Sequence, residues 1–262
     1  MSFEAPIVSS PGVAAIAFDL DDTLAPSKSK VPEELAHLLM EMARRIPVCI
    51  ISGGRFEQFD QQLLGALSGT EEEFANIHLM PTCGTKYFRH KAGGWEMVYT
   101  EDLTADEVSR SIAALEAGAK ELGLWEPDDA VWGARIEDRG SQVTFSALGQ
   151  EAPVAPKHAW DPTGQKREVL RERIAQELPD LEVRAGGSTS IDITRRGIDK
   201  AYGIREFARI VGVDFPHILF VGDRLEQGGN DFPVIALGVQ TRAVTGPDDT
   251  TAFGRDFVAG LR

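Results

Sequence analysis

The segment "VAAIAFDLDDTL", Val13 to Leu24, sets three carboxylates, Asp19, Asp21 and Asp22, behind a run of small apolar residues. Crowded like charges raise one another's pKa and repel. A cation between them resolves the conflict; a solvated polar loop avoids it. A second apolar run, "HILFVGD", also ends in an acid, Asp223. Open α/β sheets bind ligands beyond the carboxyl ends of their strands, where both acidic tips would lie. Asp19 and Asp21 are two residues apart, so in extended backbone they project to the same side. If the two strands are neighbours, Asp19, Asp21 and Asp223 converge. Clustered oxygens without His or thiolate suit a hard cation, most simply Mg²⁺.

Three further features suit an anion. Ser52, followed by Gly53 and Gly54, stands between an apolar strand and the expected start of a helix. Lys200 opens a helix just upstream of the second acidic strand. Helix starts offer free N–H groups and a favourable dipole. Gly228 and Gly229, in "GDRLEQGGND", allow close backbone approach. A hydroxyl, a lysine, a helix start and a metal together describe a phosphate pocket.

The elements that must hold these residues follow from hydrophobic spacing. Val13–Phe18, Val48–Ile51, Ile77–Met80 and "HILFVGD" predict buried strands, and "PEELAHLLMEMAR", Arg55–Leu67 and "DKAYGIREFARIVG" predict helices between them. This alternation implies a parallel, Rossmann-like α/β sheet with helices on both faces. Between its halves the pattern changes. Trp95–Tyr99 reads as a strand and Ala105–Leu122 as a helix. Strands flank Asp138-Arg139-Gly140, Asp161 stands as a helix cap, and a hairpin runs through Gly186-Gly187. Residues 1–88 and 195–262 are therefore expected to form the core, and 89–194 an inserted α/β cap.

The order DxDxT, S-G-G, K, GD and ND resembles the haloacid dehalogenase (HAD) superfamily of phosphotransferases. "DLDDTL", "IISGGR", Lys200 and "VGDRLEQGGND" resemble its four motifs. The insert resembles the cap of subclass IIB. Within that subclass, "RIEDRGSQVTFSALGQ", "GGSTSIDITRRGIDKAYGI" and "GDRLEQGGNDF" are similar to the eukaryotic-type phosphomannomutases. The resemblance implies that Asp19 is the nucleophile and Asp21 the general acid/base. It implies that Asp19, the backbone carbonyl of Asp21, and Asp223 hold Mg²⁺, with Asp231 supporting them from behind. Ser52, Gly53, Lys200 and Asn230 would bind the phosphoryl group. Asp22 departs from the mutases, which carry glycine there, and is expected to hydrogen-bond the loop backbone.

The cap must decide between hydrolysis and mutase chemistry. A mutase grips a second phosphate far from the metal, for which bidentate arginines serve best. Arg139 matches one mutase arginine; two others fall at Trp132 and Gln150, and Lys28 stands where another would be. Arg135 is a candidate substitute. Ser190 and Asp192 match the sugar-contacting pair. The expectation is a Mg²⁺-dependent phosphatase acting on a small phosphate ester, such as a sugar phosphate, through an aspartyl-phosphate. A phosphomannomutase-type mutase is the alternative. A catalytically inactive binding protein is disfavoured, because Asp19 and Asp21 are both kept.

A net charge of −14 argues against nucleic acid or anionic membrane as a partner. Two cysteines suggest no disulfide framework. With neither a signal segment nor an apolar run of spanning length, a cytoplasmic location is expected. Relatives of this type also suggest a homodimer formed through the cap.

Overall fold

A strand apolar on both sides must be covered on both faces, and β1 (Ala15–Asp19) is buried along its whole length. The computed structural model describes residues 12–27 and 29–261. After β1 come α1 (Glu33–Ala43), β2 (Val48–Ile51), α2 (Phe56–Gln62), α3 (Glu71–Ala75), β3 (Ile77–Met80), β4 (Lys86–Lys91) and β5 (Gly94–Thr100). The middle of the chain gives α4 (Ala105–Glu121), β6 (Ile136–Asp138), β7 (Val143–Ser146), α5 (Val154–Trp160), α6 (Gln165–Glu177), β8 (Leu181–Ala185) and β9 (Ser190–Arg195). The last stretch adds α7 (Lys200–Val211), β10 (Ile218–Gly222), α8 (Phe232–Ile235), β11 (Gln240–Ala243) and α9 (Pro247–Gly260).

The chain divides into two units, one running to Tyr99 and resuming at Asp199, the other spanning Thr100–Ile198. The first unit is built on a seven-stranded sheet in the order β11-β10-β1-β2-β3-β4-β5. From β11 to β3 every pair is parallel, and β4 runs antiparallel to β3. Along β1 the side chains alternate between two layers. Ile16 and Phe18 pack with Leu35 and Leu39 of α1 and Phe257 of α9; Ala15 and Ala17 pack with Ile204 and Phe207 of α7. The insert was expected to start at residue 89. Instead β4 and β5 extend the first sheet, and the second unit starts at Thr100. The sequence hid β4 because "KYFRHK" is half charged and only Tyr87 is fully buried.

The second unit has a four-stranded sheet in the order β6-β7-β9-β8, antiparallel throughout. Val143, Phe145, Ile191 and Ile193 turn one face onto Leu115 of α4 and Leu170 and Ile174 of α6. The opposite face carries Thr144, Ser146, Ser190 and Asp192, because side chains alternate along a strand. The N-cap of α6 is Gly164 rather than the expected Asp161, although the Asp161 carboxylate reaches the first turn, accepting from the backbone N–H groups of Lys166 and Arg167 at 3.2 and 3.1 Å. Among the described residues no helix is long and apolar enough to cross a membrane.

One core residue makes the fold acid-sensitive. His78 on β3 is buried, with Nδ1 2.8 Å from the Tyr87 hydroxyl. Burial, with a smaller contribution from Arg89, pushes its pKa down to about 4. The unfolded chain takes up a proton near pH 6.5 while the folded one does not, so stability is full above that pH and falls as pH drops towards 4. Between pH 7.5 and 4.5 the loss attributable to His78 is about 2–3 kcal/mol. In paired melts at those pH values, His78→Gln is expected to lose less stability on acidification than the parent. Equal losses would assign the acid sensitivity elsewhere.

Candidate active site

Parity along β1 aims Asp19 at the same side as Ala15 and Ala17, the side covered by α7. Lys200 is the first residue of that helix, whose cap Asp199 accepts a hydrogen bond from the Tyr202 N–H at 2.9 Å. Helix α7 can lie this close because Gly203 faces the turn after β3. A Cβ on Gly203 would sit 2.7 Å from the Cys83 carbonyl oxygen, and one on Gly84 would sit 2.4 Å from the Gly203 Cα. The Lys200 ammonium is thereby held 2.6 Å from Asp19 Oδ1 and 2.6 Å from Asp231 Oδ1. All three residues are buried.

Asp231 is anchored on its other oxygen by the Arg224 N–H at 3.1 Å. Gly222 makes the space, since a Cβ there would lie 2.3 Å from Asp231 Oδ2. Asp223 follows β10, the parallel neighbour of β1, and its Oδ1 accepts from the Thr23 hydroxyl at 3.2 Å. The two acidic strand tips are therefore adjacent, and carboxylate oxygens of Asp19, Asp223 and Asp231 lie within 4.8 Å of one another. Asp231 lies among these carboxylates, with one oxygen held by Lys200 and the other by the Arg224 N–H.

Burial raises the Asp19 carboxyl well above the usual carboxylate range against the pull of Lys200, and Asp231 and Asp223 push the same way as burial. Burial also raises Asp223, with Asp231 adding to it. For Lys200, burial alone would lower the pKa, but Asp19 and Asp231 together raise it, so the ammonium is kept. Three carboxylates against one ammonium leave an excess of negative charge. That excess, presented by oxygens alone, fits a hard divalent cation such as Mg²⁺. Asp19, Asp223 and Asp231 are the side chains that could hold it.

Asp21 does not join the three carboxylates. The strand ends at Asp19, and the chain turns: Asp22 adopts a positive φ of 57° and its N–H bonds to the Ala25 carbonyl at 2.7 Å. The two-residue projection rule holds only in extended backbone, so the expected convergence of the Asp21 carboxylate fails here. It is held instead by Gln58 Nε2 at 2.5 Å, with Gln62 Nε2 at 3.4 Å. Asp22 bonds the loop as expected, its Oδ1 accepting from the Ser27 N–H at 3.0 Å.

Ser52 is buried just beyond β2, whose Ile51 pairs with Asp19, so its hydroxyl stands at the same sheet edge. Its Oγ accepts from the Gly54 N–H at 3.0 Å, and Gly53 completes the loop. The expected helix start does not fall on this serine, because α2 begins at Phe56 with Arg55 as its cap. Asn230 is exposed beside the buried Asp231. Lys28 lies outside the described residues.

On the second unit, Ser190 and Asp192 share the polar face of β9 and pair with Ser146 and Thr144. Asp192 Oδ1 accepts from Thr144 Oγ1 at 2.7 Å and Gln142 Nε2 at 3.0 Å. Burial raises its carboxyl, while Arg139 and these two donors pull it down. Arg139 donates to Glu137 Oε2 at 2.7 Å and reaches Gln150 Oε1 at 3.4 Å. Arg135 donates to the Glu126 carbonyl at 2.6 Å and to Asp128 at 2.8 Å, and its guanidinium lies 4.7 Å from the centre of the Trp125 ring. The arginine expected to substitute for a missing mutase cation is thus tied to its own neighbours. Sequence reasoning missed Gln58 and Gln62; their spacing of four, just after S-G-G, was the available signal.

Residues 128–259 match the model of a family described as eukaryotic phosphomannomutase. Phosphomannomutase 1 of Homo sapiens is 25% identical over 253 residues, covering 92% of this chain and 90% of the human protein. Among solved structures, the N-terminally truncated IMP-bound IMP-nucleotidase of Plasmodium falciparum superposes with a TM-score of 0.69 at 16% identity. That alignment covers 95% of this chain and 68% of the other. A haloacid dehalogenase-like hydrolase from Bacteroides thetaiotaomicron gives 0.58 at 15% identity, with 92% and 98% coverage. At these identities the structural likeness concerns the fold.

Proposed function

Because this chain belongs to the eukaryotic phosphomannomutase family, within the HAD superfamily, we propose that it is a phosphoryl-transfer enzyme that hydrolyses a sugar phosphate. Asp19 attacks the phosphorus, the ester P–O bond breaks, and an aspartyl-phosphate forms. Asp21 gives the leaving oxygen its proton. It then takes a proton from water, whose oxygen attacks the same phosphorus. The acyl–phosphate P–O bond breaks, and Asp19 and inorganic phosphate are released. Lys200 and Ser52 offset and orient the phosphoryl oxygens, with Gly53 and Asn230 beside them. Mg²⁺ bound by Asp19, Asp223 and Asp231, with the Asp21 carbonyl, would neutralise charge on those oxygens. Ser190 and Asp192 meet the sugar hydroxyls.

The observation that carries hydrolysis is the commitment of the cap arginines. A mutase needs cations for a second phosphate, but Arg135 serves Glu126, Asp128 and Trp125, and Arg139 is paired with Glu137. The names of the relatives favour the second reading, a mutase that returns the phosphoryl group to another sugar hydroxyl. Phosphate release from a panel of sugar phosphates with Mg²⁺, run beside interconversion of the two mannose monophosphates with a bisphosphate activator, separates them. Release exceeding interconversion is expected; interconversion with little release would establish the mutase.

A further inference from the structure

Gln58 and Gln62 stand one turn apart on α2, and both amides face the acidic loop. Gln58 Nε2 donates to Asp21 Oδ2 at 2.5 Å. Gln62 Nε2 lies 3.4 Å from Asp21 Oδ1 and donates to the Ser29 carbonyl at 2.9 Å, while the Gln62 carbonyl accepts from the Val31 N–H at 2.8 Å. Gln62 thus fastens the segment that follows Asp21, and Gln58 fastens the carboxylate itself. The second glycine of S-G-G belongs to the same arrangement. A Cβ on Gly54 would fall 1.8 Å from Gln58 Oε1, so the glycine leaves the space that the amide occupies.

Two amides facing two oxygens fix the rotation of a carboxylate. Each carboxylate oxygen has two lone-pair directions, so one amide does not exhaust an oxygen's capacity to carry a proton. We propose that Gln58 and Gln62 are positioning residues that orient Asp21 for proton transfer to the leaving oxygen. The proposal rests on Asp21 being the acid described above.

The leaving group supplies a test that mere loss of structure does not mimic. A para-nitrophenoxide departs without help, whereas a sugar alkoxide needs a proton. The ratio kcat/KM covers events only up to formation of the aspartyl-phosphate, so the water step does not enter. With para-nitrophenyl phosphate and a hexose phosphate as probes, Gln58→Ala is expected to lose kcat/KM at least about tenfold more on the sugar ester, within the 10²–10⁴-fold that general acids contribute. Gly54→Ala, which displaces the Gln58 amide without removing it, is expected to shift the ratio the same way. Gln62→Ala follows in direction. Asp21→Asn is the reference. If it shows the selective loss while Gln58→Ala and Gly54→Ala lose both esters equally, the positioning role is overturned and the acid stands. If Asp21→Asn itself loses both equally, the assignment of the acid falls and the positioning role with it.

Discussion

Asp19→Asn is expected to lower turnover of every phosphate ester by about 10³-fold or more, and to leave no phosphate bound to protein in acid-quenched single turnovers. In barrier terms this is about 4 kcal/mol or more. The amide presents no anionic oxygen to the phosphorus, and no other carboxylate in the cluster can replace it. Asp231 is tied on one oxygen by Lys200 and on the other by the Arg224 N–H, and Asp223 follows a different strand. Binding should be less affected than turnover, because Lys200 and Ser52 remain. Protein-bound label persisting in the variant, with turnover near the parent's, would refute a covalent role for this residue.

Lys200→Met is expected to cost about 3–5 kcal/mol of stability as well as activity. The ammonium is buried and 2.6 Å from two carboxylates that are themselves buried. Removing it strands those charges in a medium that solvates them poorly, and methionine fills the volume without the charge. For a chain of this size the melting temperature should fall by roughly 6–20 °C. Added Mg²⁺ should recover part of that fall, since a cation held by Asp19, Asp223 and Asp231 offsets the same excess charge. Calorimetry with and without the metal checks both points. An unchanged melting temperature would contradict the charge balance drawn for this site.

The parallel sheet and its site-bearing tips were legible in the sequence because they depend on local pattern. Val48–Ile51 and Ile77–Met80 are strands with the limits that their apolar runs suggested. Asp19 and Asp223 meet because β1 and β10 are neighbours, an adjacency that the sequence left as a condition and the sheet order supplies. The β4 strand was not legible. Its residues alternate only weakly, and its strand character comes from pairing with β3, a partner that its own composition does not name.

By itself, the sequence determined which residue types stand at the strand ends: the acids, the lysine, the serine and the glycines, in an order that specifies phosphoryl-transfer chemistry. Only the tertiary structure decided where their side chains point. Asp21 left the carboxylate cluster because the chain turns after β1 and α2 offers two amides. Asp231 entered it because Gly222 leaves room for its carboxylate. Arg135 turned to Trp125 and Asp128, and Arg139 to Glu137, because a guanidinium takes the nearest partners that match its charge and plane. Spacing along a chain fixes side-chain direction only while the backbone is regular. Beyond the strand ends, direction is set by contacts between residues far apart in sequence.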